Sequence, residues 1–125
     1  MWHLSDAWSR RHQPNIRLVR YEDLLADLGG QMRALADYLA IEIPDATWPA
    51  LVRAATFESM SRRASTLAPA GVLKSRAAFF RRGTAGAARE VLSDDDLATY
   101  RARVAELAPA DLLAWLHAPP DAAGP

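Results

Sequence analysis

One short segment limits the possible folds of this chain more than any other. Residues 16–21, Ile-Arg-Leu-Val-Arg-Tyr, follow a turn at Gln13, Pro14 and Asn15 and have the β-branched and aromatic character of a strand. The other apolar patterns are helical, and a lone strand cannot satisfy its own backbone N–H and C=O groups. The sequence therefore predicts a mostly helical chain with one clear strand, which forms part of something larger.

Helical spacing marks the segments on both sides of this strand. Leu4 and Trp8, four residues apart, predict a short N-terminal helix. After the strand, four apolar residues recur at helical spacing: Leu28, Met32, Leu35 and Leu39. Arg33 and Asp37 are also four residues apart and are predicted to pair on this second helix.

Capping signals predict the next helix, and a stretch without a sustained period predicts the loop that follows it. Asp45 or Thr47 is suited to cap a helix whose buried side is supplied by Leu51, Val52 and Ala55. Residues 61–78 contain Ser, Thr, Ala, Pro and Gly without a sustained period. They are predicted to form a surface loop.

The last part of the chain has two further helix starts. Ser93, with Asp96 three residues later, has the spacing of a capping box, and Pro109 begins a final short helix. The sequence predicts one domain over residues 1–117 and a flexible tail over residues 118–125, which are rich in Pro, Ala and Gly.

Composition favours a folded domain without disulfide or metal chemistry. Half of the 125 residues are hydrophobic, and the absence of cysteine excludes disulfides and cysteine-ligated zinc. His3, His12 and His117 lack metal-ligand spacing, so we expect no metal. No apolar run approaches the roughly 18–20 residues that span a bilayer, and no signal-peptide pattern follows Met1. The expected location is the cytoplasm, with no membrane span.

A basic and aromatic motif is the strongest functional signal. Residues 79–86, Phe-Phe-Arg-Arg-Gly-Thr-Ala-Gly, combine two aromatic rings, two guanidinium groups and two glycines. An Arg guanidinium matches phosphate oxygens, and glycine lets backbone N–H groups approach an anion. The chain has 15 basic and 15 acidic residues, yet residues 59–89 hold seven basic residues and no acidic one. This concentration favours capture of a defined anion over non-specific coating of nucleic acid.

Four motifs in order resemble the sulfotransferases that use 3′-phosphoadenosine-5′-phosphosulfate, and specifically their C-terminal half. Residues 15–24 resemble the family's strand that ends in Tyr-Glu-Asp-Leu, and residues 39–41 are similar to its Phe-Leu-Gly-Ile element. Residues 56–60 resemble Ser-Phe-Glu-x-Met, and residues 79–86 are similar to the Phe-x-Arg-Lys-Gly-x-x-Gly signature. The resemblance implies a P-loop-like three-layer α/β fold.

The resemblance also implies roles for particular residues. Sulfuryl transfer would proceed from 3′-phosphoadenosine-5′-phosphosulfate to a hydroxyl or amine of a small-molecule acceptor, without metal or nucleic acid. The residues implied around the adenine are Tyr21, Thr56, Phe57 and Met60, with Phe80 beside the nucleotide. The 3′-phosphate would be held by Arg81, Arg82 and Gly83. The family's loop for the 5′-phosphosulfate and its catalytic His have no counterpart here. We therefore expect this chain to be a fragment that binds weakly and is inactive alone.

Simpler interpretations remain open beside these roles. On pattern alone Tyr21 packs within a strand, and Phe57 and Met60, three residues apart, share the buried face of a helix. Arg81 and Arg82 form a solvated pair on the same basis. The alternative function is a non-catalytic helical module whose basic loop binds a nucleotide, a phosphorylated partner or RNA. The sequence does not indicate the oligomeric state.

Overall fold

A computed structural model of the chain describes residues 1–67, 80, 83, 86 and 90–119. All regular structure in this part is helical. The helices are α1 (Trp2–Ser9), α2 (Tyr21–Ala26), α3 (Leu28–Tyr38), a 3₁₀ helix (Asp45–Thr47), α4 (Trp48–Ala55), α5 (Phe57–Arg62), α6 (Ala64–Leu67), α7 (Asp94–Leu107) and α8 (Ala110–Leu116).

The chain divides into two compact units. The terminal unit consists of Met1–Ala26 with Ala85–Pro125, and the central unit is Asp27–Thr84. Each unit has its own buried side chains.

The core of the terminal unit joins α1 to α8. Trp8 is buried, its indole N–H donates to the Asp111 carboxylate at 2.9 Å, and its ring lies 5.2 Å from the ring of Trp115. Leu112 is fully buried, and Arg11 places its guanidinium 4.1 Å from the Trp8 ring. An apolar core with one polar edge therefore holds the N-terminal helix against the last one.

The start of α7 confirms the predicted capping box. The Ser93 hydroxyl accepts a hydrogen bond from the Asp96 backbone N–H, and the Asp96 carboxylate accepts from the Ser93 backbone N–H. The hydrogen bond from the Ser93 side chain is the main reason why the pKa of Asp96 is lowered. The predicted last helix is also confirmed, with Pro109 as the N-cap of α8.

The central unit is organised around α3 and α4. The Asp27 carboxylate caps α3 by accepting from the Gly30 backbone N–H at 2.8 Å. Trp48, the first residue of α4, is buried, and the Arg33 guanidinium lies 4.5 Å from its ring. Arg33 pairs with Asp45 at 3.3 Å. The predicted pairing of Arg33 with Asp37 is therefore wrong, because Arg33 reaches the Trp48 ring and the carboxylate beside it.

Two further predictions need correction. The described part of the chain contains no strand: residues 16–20 have no regular structure, and Tyr21 begins α2. The predicted strand does not form there because no described neighbour offers it a backbone ladder. The predicted loop over residues 61–78 is also wrong at its start, since α5 continues to Arg62 and α6 follows. Residues 68–78 lie outside the described part.

Candidate functional site

Phe57 is held at a sharp junction between two helices. Thr56 ends α4 in an extended conformation and caps α5, with its hydroxyl accepting from the Ser59 backbone N–H at 3.2 Å. The same hydroxyl donates to the Arg53 carbonyl at 2.9 Å. Because Thr56 joins both helices, Phe57 leaves the junction as the first residue of α5 with a fixed backbone direction.

An arginine strengthens this junction from the far end of α5. The guanidinium of Arg63 donates to the Ala54 carbonyl at 2.6 Å and to the Ser59 carbonyl at 3.4 Å. It therefore satisfies a carbonyl in the last turn of α4, where the helix dipole favours a cation. Sequence patterns did not predict this contact, because Arg63 lies in the segment predicted to be a loop.

The ring of Phe57 meets two residues of the basic and aromatic motif. Its centroid lies 5.9 Å from that of Phe80, with the planes at 71°, an edge-to-face arrangement. Gly83 has φ +65°, and a Cβ at that position would lie 2.3 Å from Cγ of Phe57. Glycine is required here for two reasons, since the backbone is left-handed and the Phe57 ring occupies the space of a side chain.

The structure thus brings together three residues that the sequence assigned to one site, Phe57, Phe80 and Gly83. All three are half-buried. Met60 lies on the same helix, one turn after Phe57, and is also half-buried. Arg81 and Arg82, to which the sequence assigned the phosphate, lie outside the described residues. The structure therefore describes the contacts of the aromatic residues in the predicted site. The assignment of Arg81 and Arg82 to a phosphate stays a prediction.

Tyr21 belongs to the terminal unit, as the first residue of α2. Its side chain is about half exposed, with a relative accessibility of 50%. Phe57 belongs to the central unit, so the two residues are described separately. The role of Tyr21 beside an adenine stays a prediction.

The residue directly before Tyr21 was not singled out by the sequence. Arg20 is only 4% exposed, and the hydrogen bond with Asp23 raises the pKa of its guanidinium above the ordinary value, against the effect of burial. The sequence contains one signal of this pairing, since Arg20 and Asp23 are three residues apart. Its other partners are carbonyls 95–99 residues away in the sequence, which local patterns do not reveal.

A separate groove lies in the central unit. It has a volume of about 510 Å³ and contains none of the residues that the sequence assigned to the site. Its walls combine aliphatic, aromatic and charged side chains, contributed by Arg33, Asp37, Ala40, Ile41, Glu42, Ile43, Asp45 and Trp48. The Arg33 guanidinium is already engaged with Trp48 and Asp45 there.

Within the described residues, no three His, Cys, Asp or Glu side chains are grouped as metal ligands. None of the described helices combines the length and the apolar character needed to cross a membrane.

Comparison with known proteins identifies the family. The family model described as "Sulfotransferase domain" matches residues 1–108, so the chain belongs to the sulfotransferase family, as the sequence motifs indicated. The chain is similar to a "Glycolipid sulfotransferase" of Mycobacterium bovis (strain BCG / Pasteur 1173P2), with 39% identity over 117 residues. A protein of the same description from Mycobacterium tuberculosis (strain ATCC 25177 / H37Ra) is 38% identical over 117 residues.

Both matches cover 91% of this chain and 36% of the relative, so the chain spans just over a third of the length of these relatives. No solved structure matches the chain with significance. The P-loop-like layered architecture is therefore still an expectation from the family.

Proposed function

We propose that this chain forms the adenine and 3′-phosphate side of the donor site in a sulfotransferase that uses 3′-phosphoadenosine-5′-phosphosulfate. The observation that supports the proposal most is the contact of Phe57 with Phe80 and Gly83. This contact joins α5, which carries residues assigned to the adenine, to the basic and aromatic motif, which carries residues assigned to the phosphate. Arg81 and Arg82 lie between Phe80 and Gly83 in the sequence, which is the basis for assigning the 3′-phosphate to them.

Each residue has a chemical role in this proposal. The rings of Tyr21 and Phe57 and the thioether of Met60 offer polarizable surface to a purine. Thr56 positions Phe57, because its hydroxyl is engaged with Arg53 and Ser59. Arg81 and Arg82 supply charge-assisted hydrogen bonds to a phosphate. Gly83 allows the chain to pass beside the Phe57 ring.

The reaction in this proposal is in-line sulfuryl transfer. A bond forms between the acceptor oxygen and sulfur while the bond from sulfur to the 5′-phosphate oxygen breaks, and the acceptor proton is lost to a base. The product nucleotide is 3′-phosphoadenosine-5′-phosphate. Positioning and stabilisation of charge supply most of the catalysis in chemistry of this kind. The descriptions of the relatives favour a hydroxyl of a glycolipid as the acceptor.

Titration calorimetry tests the phosphate assignment directly. We expect 3′-phosphoadenosine-5′-phosphate to bind more tightly than adenosine monophosphate, and Arg81→Ala to remove most of that preference. Loss of hydrogen bonds to a charged group costs about 1.5–3 kcal/mol, which corresponds to an affinity about 10- to 100-fold lower. Adenosine monophosphate should bind equally to both proteins.

Arg103→Ala is the matched control. Arg103 is an exposed arginine of α7 that pairs with Glu106, so its removal changes net charge by the same amount. We expect it to leave the preference for the 3′-phosphate unchanged. Equal losses in the Arg81 and Arg103 variants would show that net charge, and not a phosphate site, determines binding. Stronger binding of RNA than of either nucleotide would favour the non-catalytic alternative.

A further inference from the structure

Arg20 uses its whole hydrogen-bonding capacity in the interior of the terminal unit. Its five guanidinium N–H groups match five hydrogen bonds. Two go to the Asp23 carboxylate, at 2.9 and 2.5 Å. The other three go to the carbonyls of Trp115 at 3.0 Å, Ala118 at 2.7 Å and Pro119 at 3.1 Å. A buried arginine with this many partners is fixed in position.

The three carbonyls lie at the C-terminal end of α8 and directly after it. The last carbonyls of a helix have no partner within the helix and carry partial negative charge. The Arg20 cation binds all three carbonyls, of which that of Trp115 also accepts from the Ala118 backbone N–H at 3.3 Å, and Asp23 balances the charge of Arg20. This cluster therefore ties the start of α2 to residues 115–119, which lie beyond the part matched by the family model.

Tyr21 is the next residue along the chain. The Arg20 carbonyl accepts a hydrogen bond from the Leu24 backbone N–H at 3.3 Å, which begins the first turn of α2. The Arg20 side chain is buried while the Tyr21 side chain is half exposed. A fixed Arg20 thus fixes the backbone from which the Tyr21 ring extends toward solvent.

We infer that Arg20 is a positioning residue for Tyr21, so that the segment after α8 determines how firmly the base of the nucleotide is held. The inference rests on the proposed function, in which Tyr21 contacts the adenine. Without Arg20, the first turn of α2 loses its attachment to α8, and binding must restrict the freed Tyr21 ring. Removing Arg20 should weaken only the contact with the base, because all five N–H groups of Arg20 already bond to protein groups and none is left for a phosphate.

Comparing the affinities for two nucleotides distinguishes a contact with the base from a contact with a phosphate. 3′-Phosphoadenosine-5′-phosphate and uridine 3′,5′-bisphosphate carry the same phosphates, but the purine offers the larger stacking surface. Stacking of a base on an aromatic side chain contributes to the affinity for the nucleotide, and a larger ring system contributes more. We expect Arg20→Gln to lower the affinity for the adenine nucleotide about 5- to 10-fold and to change the affinity for the uridine nucleotide less than 2-fold.

A double-mutant cycle shows whether Arg20 acts through Tyr21. We expect Tyr21→Ala to lower the affinity for the adenine nucleotide, and Arg20→Gln to have no further effect in the Tyr21→Ala protein. Arg11→Gln is the control, since Arg11 also bonds within the terminal unit, to Asp111 and to the Trp8 carbonyl. It should lower the melting temperature without changing the preference between the two nucleotides.

Arg20→Lys provides the test if Arg20→Gln does not fold. Lysine keeps the charge beside Asp23 but has three donors in place of five, so it cannot reproduce all five hydrogen bonds to Asp23 and the three carbonyls. We expect a smaller loss of adenine affinity, again abolished by Tyr21→Ala. Unchanged preference between the nucleotides in Arg20→Lys and, where it folds, Arg20→Gln would overturn the inference.

The outcomes also distinguish this inference from the proposed function. If Tyr21→Ala lowers affinity for the adenine nucleotide and the Arg20 variants do not, the positioning role alone is wrong. If Tyr21→Ala changes neither affinity, both the adenine contact and the positioning role are wrong. Equal weakening of both nucleotides by the Arg20 variants would show a general structural effect and would also overturn the positioning role.

Discussion

At the residue scale, Gly83 shows how one position can be constrained by both backbone and space. Its φ of +65° belongs to the left-handed region, and a Cβ there would overlap the Phe57 ring. Gly86 has a similar φ of +81°, but a Cβ there would meet no atom within 4 Å. The two glycines therefore differ in steric contact while sharing the same backbone requirement.

This difference gives a prediction with a matched control. Gly83→Ala should lower the free energy of unfolding by about 2–4 kcal/mol, the sum of a left-handed backbone cost and an overlap with the Phe57 ring. Gly86→Ala should lower it by about 1–2 kcal/mol, from the backbone alone. Urea denaturation measures both values. In a Phe57→Ala background the two glycine variants should become equally unstable, and a persistent difference would contradict the contact.

At the scale of the element, the end of α3 contains a residue in an unfavourable conformation. The Ile41 backbone N–H donates to the Ala36 carbonyl at 2.9 Å, and that of Ala40 donates to the Asp37 carbonyl at 3.1 Å. These two bonds define a Schellman motif, in which the residue after the C-cap is usually glycine. Here it is Ala40, with φ +53°.

The motif predicts a stabilising substitution. Ala40→Gly should raise the free energy of unfolding by about 0.5–1 kcal/mol, because glycine adopts the left-handed conformation without steric cost, and its greater freedom in the unfolded chain offsets part of the gain. Ala34→Gly, in the interior of α3, is the control and should lower stability by about 1 kcal/mol. Guanidinium chloride denaturation compares them. A loss of stability in both variants would contradict the Schellman geometry.

At the scale of the whole molecule, the hydrogen bond between α1 and α8 makes stability depend on pH. The hydrogen bond from the Trp8 indole is the main reason why the pKa of Asp111 is lowered. The unfolded chain therefore binds a proton at Asp111 more readily than the folded chain does. The stabilisation is complete above the ordinary carboxyl pKa of about 3.9 and is lost as the pH falls through the lower pKa of the folded state.

Asp111→Asn tests this linkage. Its side-chain oxygen still accepts a hydrogen bond from Trp8, but it does not titrate. We expect the melting temperature of the Asn variant to fall less between pH 5 and pH 2.5 than that of the unchanged protein, at about the same ionic strength. Thermal unfolding followed by circular dichroism provides the values. Identical pH dependence in both proteins would show that Asp111 is not stabilised by Trp8.

Local patterns predicted much of the helical structure. The capping box at Ser93 and Asp96, and the helix that follows Pro109, were predicted because a cap depends on residues within one turn. The grouping of Phe57 with Gly83 followed from family motifs, not from spacing. Residues 16–20 misled the prediction because β-branched residues favour a strand only where a neighbouring strand exists.

The sequence by itself determined the family, the start of the helix that Ser93 caps, and the residue types suited to an aromatic base and a phosphate. Only the tertiary structure placed Gly83 against the Phe57 ring and surrounded Arg20 with carbonyls from the other end of the chain. The physical reason is the distance along the sequence between the residues that interact. Caps and periodic faces depend on neighbours within a turn or two, whereas burial and the hydrogen bonds of a buried charge depend on residues that meet only when the chain folds.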